Sequence, residues 1–366
     1  MSTPYENLAA RAFWRTAIAD KSPLEICELW SPKHRFEPLH NVATFGSCFA
    51  QHFGRALKAR GYAWFDAEPA PDIFLPIIKH KFNYGVFSAR TGNIYTVAAL
   101  KQWVSWALGT AMPPEEIWEA KGRFFDPFRP AIEPAGFRSP EELLASRGAV
   151  LRAIRRIVDD ADWFVFTLGL TEGWISRKNG YNYAMCPGTI AGEFDGASHA
   201  FRNYGFEEIS SDLNWVIDAI HNVNTKMQFL LTVSPVPLTA TASGEHVLTA
   251  TTFSKSVLRA VAGTVAANRE FVDYFPSYEI ITSSPFQGMF YEPNKRSVSS
   301  QGVNFVMASF FACLEQKFGD AAPTTSKAEE KNIPTEAHNS ADEYDIACEE
   351  QMLAAFAPGE RGRDVI

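Results

Sequence analysis

Three apolar runs, Asp162–Leu168 (DWFVFTL), Lys226–Val233 (KMQFLLTV) and Phe271–Phe275 (FVDYF), constrain this chain most, because helical periodicity separates each from the next. Short apolar runs without polar alternation read as strands buried on both faces. Glu141–Asp160 carries Leu143, Leu144, Val150, Leu151, Ile154 and Ile157 at helical spacing, and Phe206–Val223 carries Leu213, Val216 and Ile220. Thr252–Asn268 and Ser300–Phe318 read as further helices. Asn41–Arg60 follows the same plan: a strand to Phe45, a tight turn at Gly46-Ser47-Cys48, then a helix with Ala50, Phe53, Ala56 and Leu57 inward. Strands joined by helical crossovers run parallel, with helices on both faces. Ala63-Trp64-Phe65 predicts one more short strand. The expectation is therefore an α/β fold in three layers, α/β/α, with loop insertions.

Residues 1–39 read as an N-terminal arm, helical over Tyr5–Ile18 and broken by Pro23, Pro32 and Pro38. Residues 40–319 form the α/β domain, interrupted by a Pro- and Trp/Phe-rich insertion at Pro113–Pro140 and an irregular insertion at Trp174–Tyr204. Residues 320–366 read as a tail: Ala321–Asn339 has a disordered composition, and Tyr344–Phe356 reads as a short helix. With 46% hydrophobic residues among 366, the chain can bury a large core. The formal net charge of −8 argues against nucleic acid as a partner. Five scattered cysteines lack metal-ligand spacing, which fits a reduced, cytoplasmic setting with no metal. No apolar run is long enough for a membrane span, and the first residues lack an apolar leader core. No glycine-rich dinucleotide fingerprint follows a strand, so no cofactor is expected.

In a parallel α/β sheet the ligand cleft lies beyond the carboxyl ends of the strands. Those ends are followed here by Gly46-Ser47-Cys48, Gly169-Leu170-Thr171-Glu172, Ser234-Pro235-Val236-Pro237 and Pro276-Ser277-Tyr278-Glu279. Ser47 stands out because a hydroxyl at a strand-to-helix turn faces free backbone N–H groups and the positive helix end. That setting suits a nucleophile and a developing oxyanion, although a serine there also serves simply as a helix cap. The surrounding residues do not match G-x-S-x-G, so this is not an α/β-hydrolase elbow.

Phe45-Gly46-Ser47-Cys48-Phe49-Ala50 resembles the signature of the GSCFA-domain family, which is related to the SGNH hydrolases. Further blocks resemble that family in the same order: GVFSARTGNIYT (Gly85–Thr96), TLGLTEGW (Thr167–Trp174), LTVSPVPL (Leu231–Leu238), FSKSVLRAVAG (Phe253–Gly263) and YFPSYEI (Tyr274–Ile280). The resemblance implies a five-stranded parallel sheet of flavodoxin-like SGNH type, with Ser47 as nucleophile. It implies oxyanion donors at Ser47 N–H, at Gly85, and in the Gly169–Glu172 segment, where Thr171 stands in place of asparagine.

The Asp-x-x-His of SGNH enzymes has no counterpart; Asn294-Lys295-Arg296-Ser297 occupies that slot. A serine nucleophile needs a base, and His246, in the loop after the fourth strand, is the substitute expected, with His199 the runner-up. Glu172 is read as orienting a histidine or acting as a base itself. Arg90 and Asn93 bind a sugar hydroxyl or carboxylate, or else brace their loop. Cys48 is an alternative reactive group. The activity implied is that of a serine-dependent esterase or O-acyltransferase on a small-molecule or carbohydrate acyl ester. A non-catalytic ligand-binding protein on an SGNH-like scaffold is the alternative.

Overall fold

The computed structural model describes residues 3–319 and 348–358. In chain order the main elements are β1 (Val42–Gly46), α1 (Phe49–Ala59), α2 (Val97–Ala107), α3 (Pro140–Asp160), β2 (Trp163–Leu168), α4 (Phe206–His221), β3 (Gln228–Val233), α5 (Val247–Ala267), β4 (Val272–Tyr274) and α6 (Ser300–Phe318). The four strands form one parallel sheet in the order β1-β2-β3-β4. The register sets Phe45 beside Phe166, and Phe166 beside Leu231.

Alternation along these strands builds two cores. Ala43, Phe45, Phe164, Phe166, Leu168, Phe229 and Leu231 pack with buried residues of α2, α3, α4 and α5. Val42, Trp163, Val165 and Leu230 join Phe49, Phe53 and Leu57 of α1 and Val306, Phe310 and Leu314 of α6. Successive strand residues point to opposite faces, so apolar residues at every position need a helical layer on each side. No helix among the described residues is long and apolar enough to cross a membrane.

The central sheet has four strands where five were expected. Ala63–Phe65 contributes only a one-residue bridge, in which Val42 N–H donates to Ala63 O and Phe65 N–H donates to Val42 O, both at 2.9 Å. Beyond it a loop serves the outer edge of β1. Ser88 Oγ accepts from Thr44 N at 3.0 Å, and Ile94 N–H donates to Gly46 O at 2.8 Å. Ala67 N–H, which would make the next ladder bond, donates instead to Ser88 O at 2.8 Å, and Pro69 beyond it has no N–H to offer, so the pairing stops early.

Other boundaries move as well. The Trp174–Tyr204 insertion is not irregular: Glu172–Ser176, Asn182–Tyr183 and His199–Asn203 make a three-stranded antiparallel sheet. Within Pro113–Pro140, Trp118–Ala120 and Arg123–Phe125 form a hairpin. It is tied to α3 by buried Asp126, which pairs with Arg129 (3.0 Å) and Arg147 (2.9 Å). Tyr5–Ile18 is not one helix but a 3-10 turn (Ala10–Ala12) and a π turn (Arg15–Ala19). Ile26, Trp30 and Phe36 then enter the core on the α1/α6 side. Helix α5 begins five residues before the expected Thr252, with His246 as its cap. Ala321–Asn339, and with it His338, lie outside the described residues; of Tyr344–Phe356, Glu349–Phe356 is a 3-10 helix seated on the body of the protein.

Candidate functional site

Strand β1 ends at Gly46, whose φ of 127° is closed to most side chains; a Cβ there would run into the Thr167 carbonyl. The turn this permits delivers Ser47 to the carboxyl edge of the sheet. Ser47 N–H donates to Thr167 O at 3.1 Å, so it is not free as an oxyanion donor. Ala50 N–H caps onto Ser47 O at 2.9 Å and α1 follows, leaving the Cys48 and Phe49 N–H groups at a helix start, without intrahelical acceptors. Ser47 is 3% exposed, and its Oγ has no hydrogen-bond partner.

Gly169, directly after β2, packs on Ser47: a Cβ at 169 would lie 3.2 Å from Ser47 Cβ and 2.8 Å from Tyr95 O. Its N–H donates to Tyr95 O at 3.2 Å, and its carbonyl accepts from Lys255 Nζ of α5 at 2.5 Å. Burial pushes Lys255 down to about 8; the neighbouring Arg296 adds to this, while Glu350 and Cys48 oppose it. One turn on from Ser47, Gln51 of α1 donates to Asn93 Oδ1 at 3.0 Å. Cys48 stays a thiol: a hydrogen bond to Cys348 and burial hold its pKa well above the usual value.

The segment at 348–356 closes over these groups. Glu349 accepts from Asn93 Nδ2 and, at 3.1 Å, from Tyr95 Oη. Burial raises the Glu349 pKa. Glu350 accepts from Thr239 N–H at 2.7 Å and from Arg296 Nη2 at 3.0 Å, while its own N–H donates to Tyr95 Oη at 3.3 Å. Next to this corner lies a cavity of about 460 Å³, walled by Trp103, Phe128, Trp174, Phe194, Leu353 and Phe356 and reached by Asn93, Tyr95, Glu172 and Glu350. Ser47 does not line it; Asn93 and Tyr95 link the two.

The expected residues separate accordingly. Ser47 and Gly169 come together, and Asn93 is tied to Gln51 in the first turn of α1. His246 does not join them: it is exposed, and its Nδ1 accepts from Leu248 N–H at 3.2 Å as the cap of α5. His199 is buried, with Nδ1 taken by Asp195 N–H at 3.1 Å. His52 lies one turn into α1, held down to about 4 by burial. His221 ends α4, its ring stacked on Phe271. No histidine among the described residues hydrogen-bonds Ser47 Oγ.

Gly85 is at the wrong end of α1, where its carbonyl accepts from Lys58 Nζ at 3.0 Å; the glycine at the site is Gly169. Thr171 is fully buried and spent: its Oγ1 donates to Asn203 Oδ1 at 2.7 Å and its N–H donates to Ser254 Oγ at 3.0 Å. Glu172 lines the cavity, bonded to Thr241 Oγ1 at 2.6 Å, its pKa raised by burial. Arg90 braces its loop, donating to Phe82 O (3.0 Å), Tyr84 Oη (3.2 Å) and Glu133 (3.1 Å).

Sequence reasoning passed over Lys255, Arg296, Tyr95, Glu349 and Glu350. Lys255 carried a readable signal: it falls on the stripe formed by Leu258, Val261, Ala262 and Val265, where a cation is out of place. Arg296 stands in the Asn294–Ser297 slot, where the sequence lacks the Asp and His of the SGNH pattern. The two glutamates carried no signal, since nothing local tells an acidic turn that it will be buried against a distant cleft.

No curated protein and no solved structure matches the chain. The profile of the GSCFA family matches residues 41–310, nearly the whole α/β domain, with Ser47, Gly169 and Lys255 all inside the match, and the chain belongs to the GSCFA family.

Proposed function

We propose that this protein is a serine-dependent esterase or O-acyltransferase in which Ser47 is the nucleophile and Lys255 the base. The observation that carries this reading is a buried Ser47 Oγ with no hydrogen-bond partner, packed against Gly169, whose carbonyl holds the buried Lys255 Nζ. Ser47 Oγ–H gives its proton to neutral Lys255 Nζ while Oγ bonds the acyl carbon, and the carbonyl π pair moves onto oxygen. Collapse of that adduct breaks the bond to the leaving alcohol, which takes the proton back from Lys255. Water or an acceptor hydroxyl then repeats the sequence on the acyl-serine. The Cys48 and Phe49 N–H groups at the start of α1, with Asn93 Nδ2, are suited to hold the oxyanion. His246, offered from the sequence for the base, gives way to Lys255 in this reading. The one-residue bridge of Ala63–Phe65 outside β1 supports reading the sheet as a reduced SGNH-type, flavodoxin-like arrangement. A carbohydrate acceptor rests on the family resemblance alone.

A second reading has its own support. With no imidazole bonded to Ser47 Oγ, the same cleft suits a non-catalytic ligand-binding protein. A fluorophosphonate probe separates the two. Labelling of the wild type that is lost in Ser47→Ala and strongly reduced in Lys255→Met supports the enzyme. Equal labelling of wild type and Ser47→Ala, or none in either, overturns it.

A further inference from the structure

We infer that the cleft contains a carboxylate-recognition subsite, built by Arg296 and Thr239 N–H, which takes an amphiphilic carboxylate and which the chain's own Glu350 fills in its place. This deepens the reading above by naming a substrate class for the same site.

Arg296 reaches one corner of the cleft beside Lys255, and burial of a charge is costly without an anion. The α/β domain supplies no carboxylate bonded to either. The anion comes instead from Glu350, beyond the end of the domain: Arg296 Nη2 lies 3.0 Å from its carboxylate, and Thr239 N–H donates to it at 2.7 Å. The fit leaves capacity unused. Arg296 Nε and Thr239 Oγ1 are buried with no hydrogen-bond partner, and Ser47 Oγ, next to Cys48, is a third such atom. Buried polar groups are rarely left unpaired, and each unmade bond costs about 1–3 kcal/mol. A ligand whose carboxylate sat deeper, or which brought an added acceptor oxygen, would meet groups that Glu350 cannot reach.

The same segment indicates what should accompany the charge. Leu353 and Phe356, one and two turns on from Glu350, form part of the wall of the 460 Å³ cavity, facing Trp103, Phe128 and Trp174. Acid and apolar body thus enter one continuous space. Glu349 at the same time covers Asn93 Nδ2 and Tyr95 Oη, the first of them a proposed oxyanion donor. The segment therefore competes with ligand at both polar corners, and as part of the same chain it does so at high effective concentration.

The test is calorimetric titration of the full chain with octanoate, octanol and acetate. Octanoate is expected to bind at least tenfold more tightly than octanol, which lacks the charge, and than acetate, which lacks the apolar body. Glu350→Gln, which weakens the competitor, is expected to tighten octanoate several-fold. Arg296→Met is expected to weaken it at least tenfold, with its melting curve confirming that it is folded. Octanol binding as tightly as octanoate, or Glu350→Gln leaving octanoate unchanged or weaker, overturns the subsite. The readout needs no turnover. A protein that binds octanoate but ignores the fluorophosphonate keeps the subsite and loses the nucleophile, and the reverse pair of results does the opposite.

Discussion

At the scale of single residues, the role proposed for Ser47 rests on Lys255. A lysine accepts a proton only when neutral, and an ordinary surface lysine is protonated at neutral pH. Burial lowers Lys255 to about 8, which brings the neutral form into reach. Activity toward p-nitrophenyl esters is therefore expected to rise with pH and level off above about 8. Lys255→Met is expected to lose at least 100-fold in kcat/KM together with that limb. The charged and titratable groups around Lys255 are Glu350, Cys48 and Arg296, of which Glu350, and after it Cys48, hold its pKa up. Glu350→Gln should thus move the limb to lower pH, and a pH–rate profile of both variants checks the sign. The stability sign runs with it: the folded protein binds fewer protons than the unfolded chain between the lowered and the ordinary lysine value, so this group adds stability as pH rises through that window.

Among elements, the insertions are held by charge as much as by apolar packing. Asp126 is fully buried and shared by Arg129 and Arg147, both also buried, with Arg129 reaching on to Arg90 O at 3.0 Å and Ser146 Oγ at 2.9 Å. Such a triad fixes the Trp118–Phe125 hairpin against α3 and, through Arg90, the loop that ends at Asn93. Asp126→Asn leaves two guanidinium groups without their counter-charge. It is expected to cost about 3–5 kcal/mol in a urea unfolding curve, although Asp126 touches none of the proposed reacting groups. The strand at Ala63–Phe65 shows the limit of local reading at this scale. Its composition suits a strand, yet the ladder ends after one residue, because Ser88 and Ile94 take the bonds of β1 that it would have made.

For the whole molecule, the two ends of the described chain are bound into the α/β body. Trp30 stacks on Phe310, meets Phe275 edge-on and donates from Nε1 to Asp273 at 3.2 Å, next to β4 and α6. Trp30→Ala is expected to destabilise the entire domain by about 3–5 kcal/mol in the same unfolding experiment, as a core substitution does, rather than merely release an arm. The segment at Glu349–Phe356 closes the cleft from the opposite direction in the chain. Its hold is polar and local, through Asn93, Tyr95, Thr239 and Arg296, so it can be loosened without loss of the fold.

The sequence by itself determined the layered α/β plan, the strand-turn-helix around Ser47 and the family. Strand and helix periodicities are local, and Gly46 is demanded by a turn whose geometry lies within a few residues of it. Helix starts were legible only to within a turn, since His246 caps α5 with a ring nitrogen that no spacing rule anticipates. Only the tertiary structure decided which distant groups face Ser47. It sent His246 to the surface, Gly85 to the far end of α1 and Arg90 into a brace, and it brought Lys255, Arg296 and Glu350 to one corner. Periodicity records that a side chain will be buried; which partner it meets there depends on how separate elements are stacked, and that is fixed by the packing of the whole core.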